Sequence, residues 1–212
     1  MLVLDHLAVV APSLEAGVAH VRDSLGLAMG PGGRHPEMGT HNRLLRLGDD
    51  AFLEVIAVDP EAAPPPHRRW FGLDDSEAVR ADWAAGRRLR SFVARTDRLD
   101  AALARRAPEL GAARRVSRGE RVWRFGVRPD GALPRDGLLP CLIDWGPAGC
   151  PAPAMPESGA RLRRLTVTHP DPEAAAALYA DLGLAGPFAF AAGPGFALSA
   201  EIETPAGPRR LA

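Results

Sequence analysis

Apolar positions along the chain fall into short alternating runs separated by single amphipathic stretches, and this order returns three times. From Leu2 to Val10 both faces are apolar, with Leu2, Leu4, Ala8 and Val10 sharing one face with His6 and Val3, Leu7 and Val9 on the other, which predicts a central strand. Ser13 is placed to cap a helix whose Leu14, Val18, Val21 and Leu25 form one stripe, and Gly26 ends it. Gly30 to Gly39 reads as a loop or an irregular edge strand. THNRLLRL and AFLEVIAV, joined through Gly48, Asp49 and Asp50, predict a hairpin.

A proline-rich crossover follows, with a short helical piece around Ser76 to Ala84. Leu89 to Arg95 then reads as a strand, and Asp97 as the cap of a helix carrying Leu99 and Leu103 that runs out near Pro108. Arg121 to Val127 and Leu138 to Trp145 supply further strands, Pro140 marking an edge or a bulge. The third copy begins at LRRLTVTH, continues as a helix over Pro172 to Leu182 and closes with PFAFA and FALSAEIET. It lies directly on the first copy. His6 to Glu15 and Arg164 to Glu173 each span nine positions, and the helices end as Ser24-Leu25-Gly26-Leu27 and Asp181-Leu182-Gly183-Leu184. The predicted fold is α+β, built of repeated βαβββ modules. Residues 1–147 form one domain of two modules (1–60 and 88–147, linker 61–87), and 160–212 a third, partial module after a linker at 148–159.

Composition narrows the function. The 212 residues are 46% hydrophobic, enough for a real core, and no run of about 18 apolar residues crosses a membrane. MLVLDHLAVV carries Asp5 and His6 and has no basic lead-in, so it does not read as a signal peptide, and a cytoplasmic location is expected. The 26 basic residues, all arginine, balance 26 acidic ones, which argues against nucleic acid as a partner, and the lack of lysine excludes Schiff-base chemistry from a side chain. Cys141 and Cys150 have neither metal spacing nor a disulfide framework. No GxSxG elbow, phosphate loop or GxGxxG is present.

The candidate chemistry starts at Glu54, which shares a strand face with Phe52 and Ile56 and so needs a partner, since an unpaired buried carboxylate costs several kcal/mol or stays protonated. His6 is the nearest strand-borne partner. The two read either as a buried pair or as a metal or catalytic pair. A two-residue turn at Asp49-Asp50 puts His41 and Arg43 on the face of Glu54, whereas a three-residue turn through Gly48 puts Asn42 there. In both registers a polar cluster faces the site, where it reads either as substrate-binding or as a solvated strand start. Trp70, Phe71, Trp123 and Trp145 read as core residues or as the wall of a site for a flat or apolar ligand. Asp144 is a second polar intrusion, otherwise a turn residue at a strand end.

The repeated module with His on its first strand and Glu on its last resembles the vicinal oxygen chelate superfamily. HPEMGTHNRLLRLGDDAFLEVIAVDP, RRWFGLD and PCLIDWG resemble, more narrowly, its glyoxalase-like domain family. The resemblance implies a cupped, eight-stranded half-barrel with His6 beside Glu54 on the concave face. It further implies a divalent ion (Zn, Mn, Fe, Ni or Co) held by that pair, with Glu54 or Asp144 moving a proton in a lyase or isomerase that acts on a small vicinal-oxygen substrate. The alternative it offers is a metal-free protein of the bleomycin-resistance type that sequesters a small molecule. The family pattern is incomplete here. Its second His position falls at about Ser91 and its fourth ligand near Asp144, while the third module carries Arg164 and Glu201 where the first has His6 and Glu54. A full ligand set would need Asp144, His41, His35 or a partner chain, and the third module is an accessory repeat or a homodimer surface.

Overall fold

The computed structural model describes residues 1–212. The first module comprises β1 (Leu2–Val10), α1 (Leu14–Leu25), β2 (Gly30–His35), β3 (Thr40–Arg46) and β4 (Phe52–Val58). Ser13 accepts from the Ala16 amide at the start of α1 and Gly26 closes it in the left-handed conformation at φ 69°, as the capping pattern requires. Gly30 to His35, left open between loop and edge strand, is a strand, paired with β3.

After α2 (Ser76–Ala84) the second module runs through β5 (Leu89–Arg95), α3 (Leu99–Arg105), α4 (Ala107–Leu110), β6 (Ala112–Arg118), β7 (Arg121–Val127) and β8 (Cys141–Asp144). Three details differ from the sequence reading. β6 was not foreseen, because AARRVSR alternates weakly and only Val116 in it is buried. The last strand starts at Cys141 and not at Leu138, since Pro134–Gly137 is a 3-10 turn and Pro140 has no N–H to give to a ladder. Asp97 does not cap α3; the Arg98 amide is held by Thr96 Oγ1 at 3.1 Å.

The third module comprises β9 (Arg161–His169), α5 (Pro172–Leu182), β10 (Leu184–Ala185), β11 (Phe188–Ala192), β12 (Ala197–Thr204) and β13 (Gly207–Leu211). Gly183 caps α5 with φ 63°, matching Gly26 in the first copy.

Strands of the first two modules form one curled sheet in the order β2-β3-β4-β1-β5-β8-β7-β6, with β10 pairing off this path to the start of β1. Its centre is thus β4, β1, β5 and β8, the first and last strands of the two modules. β11, β9, β12 and β13 form a second sheet. Leu165, Val167, Leu198, Ala200 and Ile202 of that sheet share one buried cluster with Leu7, Val9, Leu53 and Val55, so the third module covers the convex side of the curled sheet beside α1. Arg164 and Glu201 are cross-strand partners, but β12 runs antiparallel to β9 whereas β4 runs parallel to β1, so Glu201 does not repeat the position of Glu54, and the ion pair that forms there is Arg163–Glu203 at 3.9 Å. No helix is long and apolar enough to cross a membrane.

The concave side holds the second cluster, in which Ala8, Val10, Val93, Cys141 and Ile143 lie under Trp70, Phe71, Trp123, Phe125 and Trp145. β1 reaches both clusters in an order that strict alternation does not give. Leu4, Leu7 and Val9 all face the convex core, whereas the sequence pattern grouped Leu4 with Ala8 and Val10. The cause is a bulge: Leu4 pairs with Ala94 and His6 with Val93, leaving Asp5 as an extra residue on β1.

Candidate functional site

Two local features build the site. The β3–β4 connection runs through Gly48, Asp49 and Asp50 and pairs Leu44 with Glu54 and Asn42 with Ile56, the longer of the two registers considered. Asn42 therefore reaches the concave face, while His41 and Arg43 stand on the opposite face of β3, away from Glu54. β1 and β4 run parallel with His6 opposite Phe52 and Ala8 opposite Glu54. Phe52 stacks on the His6 ring at 4.4 Å, which fixes the imidazole plane.

His6 lies between two carboxylates. Its Nδ1–H donates to Asp5 Oδ1 at 2.6 Å, and its Nε2 is 3.5 Å from Glu54 Oε2. Asp5 is fully buried and its other oxygen accepts the Trp145 indole N–H at 2.9 Å, with Arg95 at 3.5 Å. Burial alone would pull the His6 imidazole down, but the hydrogen bond to Asp5 and the negative charges of Asp5 and Glu54 outweigh it and raise it to about 9. The same opposition operates on Glu54. Burial pushes its carboxyl up, and His6, His35 and Asn42 bring it down to about 2. At neutral pH the pair is an imidazolium and a carboxylate.

A second set of bonds ties this pair to His35. Asn42 Nδ2 donates to Glu54 Oε1 at 2.6 Å and turns its other hydrogen toward His35 Nε2 at 3.4 Å. His35 Nδ1–H then donates to Thr40 Oγ1 at 3.0 Å, which also takes the Trp70 indole N–H at 3.2 Å. Burial holds the His35 imidazole down to about 4, with the Arg118 and His41 charges adding to it against Glu54, so this ring is neutral. Asn42 Oδ1 accepts from the Gly33 amide at 2.9 Å and from Arg118 Nη1 at 3.4 Å.

Of the residues singled out from the sequence, His6, His35, Asn42, Glu54, Trp70, Phe71, Trp123 and Trp145 line one small cavity. Asp144 does not. Ile143 faces the cavity, so the next residue on β8 points away, where Asp144 pairs with Arg124 at 3.3 Å and accepts the Gly146 amide at 2.9 Å. Asp5 and Arg118 were not foreseen. For Asp5 the signal was a carboxylate within a strand apolar on both faces; for Arg118 none existed, because β6 itself was not evident.

The model of the "Glyoxalase-like domain" matches residues 4–183. The chain belongs to the glyoxalase-like domain family. No curated protein matches this glyoxalase-like chain. Among solved structures it is similar to a hypothetical protein from Staphylococcus aureus at 11% identity and a TM-score of 0.59, with 93% of this chain and 88% of that one covered. Methylmalonyl-CoA epimerases from Streptomyces coelicolor (18% identity, TM-score 0.43, 68% and 94% covered) and Mycobacterium tuberculosis (21%, 0.42, 68% and 89%) are also similar. These likenesses concern the fold.

The resemblance read from the sequence implies a metal ion, and the donor set of this glyoxalase-like domain does not fit one. No group of three or more His, Cys, Asp or Glu side chains is placed to hold a metal. Only His6 Nε2 and Glu54 Oε2 converge, fewer than the three protein ligands of a typical catalytic zinc centre. The second module's half supplies no further ligand. Ser91, at the second His position, is buried and donates to the Phe92 carbonyl, and burial pushes the Cys141 thiol up to about 12, so it stays protonated.

The inner cavity measures about 20 Å³, room for a single water. Outside it lies a trough of about 350 Å³ between β2, β3, the β6–β7 hairpin and residues 151–158. Arg118 lines both spaces.

Proposed function

We propose that this glyoxalase-like protein binds a small molecule at the mouth of its cup without a metal ion, the ligand lying in the outer trough against the Arg118 partition. The observation that carries this reading is the clamping of His6 between Asp5 and Glu54 beside a cavity with room for one water, which leaves the adjoining trough as the place for a ligand. Both ring nitrogens face carboxylates, so the pair is a fixed polar floor with no complete metal shell. Nor is Glu54 suited to abstract a proton. A carboxylate held at about 2 is a weak base at neutral pH, where general-base catalysis favours a group titrating close to the working pH. Leu44, Pro31, Ala154 and Met155 of the trough suit a ligand with an apolar body.

The 3.5 Å gap between His6 Nε2 and Glu54 Oε2, longer than an ordinary N–H···O bond, favours a second reading. In it the His6 imidazolium gives its Nε2 proton to a bound oxygen, and the protein is a metal-independent isomerase or lyase.

One experiment addresses both. The tag-free protein is analysed for metals, then a small-molecule library is screened by ligand-observed NMR with and without a chelator. The expected result is less than about a tenth of an equivalent of transition metal and the same ligands bound under both conditions. Binding that appears only with added Zn, Mn, Fe, Ni or Co would overturn the metal-free reading. Recovery of the ligand unchanged selects sequestration, and conversion with chelator present selects acid catalysis.

A further inference from the structure

Two guanidinium groups at the trough have no carboxylate of their own. Arg118 makes one long hydrogen bond, to the Asn42 side-chain oxygen at 3.4 Å, and burial holds its guanidinium below the ordinary arginine range. Arg121 donates to the Gly149 carbonyl at 2.7 Å and lies over the Trp145 ring at 5.7 Å. Neither takes part in an ion pair, although the chain has many. The carboxylates near them are committed: Glu54 faces His6, and Glu157 pairs with Arg161 at 2.7 Å and with Arg46 at 3.7 Å.

The position of Arg118 is provided for by the opposite edge of the cup. A Cβ on Gly33 would sit 2.6 Å from Arg118 Cδ, so only glycine on β2 leaves room for the arginine stem to cross from β6. Ser117, its neighbour, donates to Glu37 Oε1 at 2.6 Å and fastens the same two edges together. A half-buried cation with its charge unanswered is costly unless something outside the chain answers it. The trough around it offers Leu44, Pro31, Ala154, Met155 and Pro156 as an apolar wall.

Building on the small-molecule reading above, we infer that the ligand is an organic anion, a carboxylate or phosphate monoester with an apolar body, whose head is taken by Arg118 and Arg121. Arginine binds both heads through paired N–H donors, and an apolar body fills the trough wall.

The test is calorimetric titration of the full chain with phenylacetate, phenyl phosphate and the neutral phenylacetamide, on the wild type and on Arg118→Gln, Arg118→Lys and Arg121→Gln. Thermal unfolding of each variant is recorded first. The anions are expected to bind about tenfold or more tightly than the amide, the gap one charge-assisted hydrogen bond supplies. Arg118→Gln should weaken the anions about tenfold more than the amide and so close that gap, Arg118→Lys should restore part of it, and added salt should weaken the anions more than the amide. The tighter anion identifies the head. Equal binding of amide and anions, or a gap that survives in a folded Arg118→Gln, would overturn the anion assignment and leave the small-molecule reading standing. If Arg118→Gln does not fold, the wild-type gap, its salt dependence and Arg121→Gln decide. Failure of all three probes to bind the folded wild type would overturn both.

Discussion

Asp5 and His6 are neighbours in sequence on a strand, yet their side chains meet at 2.6 Å on the same side of the sheet. Regular alternation would send them to opposite faces. The bulge that places Asp5 opposite no residue of β5 turns its carboxylate under the imidazole, where Trp145 and Arg95 hold it. The sheet irregularity thus builds the floor of the site.

Replacing Asp5 tests that role. Asp5→Asn removes a buried charge on which His6 and Arg95 both lean, and breaking a buried pair of this kind costs about 3 kcal/mol or more. The expected outcome is a lower denaturation midpoint together with a His6 imidazole that titrates below about 9. Chemical denaturation and NMR titration of the ring protons check the two effects separately; an unmoved His6 would show that Glu54 alone sustains its charge.

His6 also sets an alkaline limit to stability. Its folded value, about 9, lies above the ordinary 6.5, so the folded state binds more protons between these values and stability falls as pH rises through that window. The contribution present below about pH 6.5 is on the order of 3 kcal/mol. Unfolding free energies measured from pH 6 to 10 should decline, and His6→Phe should flatten the decline.

His35 imposes the opposite slope. Held down to about 4, it stays neutral when folded while the unfolded ring protonates below about 6.5, so stability is lost as pH falls from about 6.5 toward 4. Glu54, held at about 2, adds a further loss below about pH 4.5, as its carboxylate protonates. The wild type is therefore expected to be most stable near pH 6.5. A His35→Gln variant should lose the slope between pH 6.5 and 5; retention of that slope would assign it to other groups.

Gly17 offers a test of how closely α1 rides on the sheet. A Cβ there would lie 2.2 Å from Val55 Cγ1 and 2.9 Å from Ala11 Cβ, both on buried residues. Gly17→Ala gains about 1 kcal/mol of helix propensity but forces overpacking of about 1–3 kcal/mol, so net destabilisation is expected in thermal unfolding. A more stable Gly17→Ala would mean that the helix shifts freely over β4.

The sequence alone determined the modular order, because two periods and two kinds of punctuation are local properties. Short apolar runs bounded by turn residues mark β1 and β4, the stripe from Leu14 to Leu25 marks α1, and Gly26 and Gly183 end two helices in the same way. It also exposed Glu54 as a charge on an apolar face with His6 as its nearest partner. What local pattern could not supply was register. A one-residue difference in the β3–β4 turn decided that Asn42, and not His41 and Arg43, meets Glu54, and one extra residue on β1 brought Asp5 under His6. Asp144 was excluded by the same alternation once Ile143 was seen to face the cavity. Arg118 belongs wholly to the tertiary structure: β6, weakly patterned in sequence, is brought against β2 only when the two modules curl into one sheet. That closure sets a guanidinium across Gly33 at the mouth of the cup.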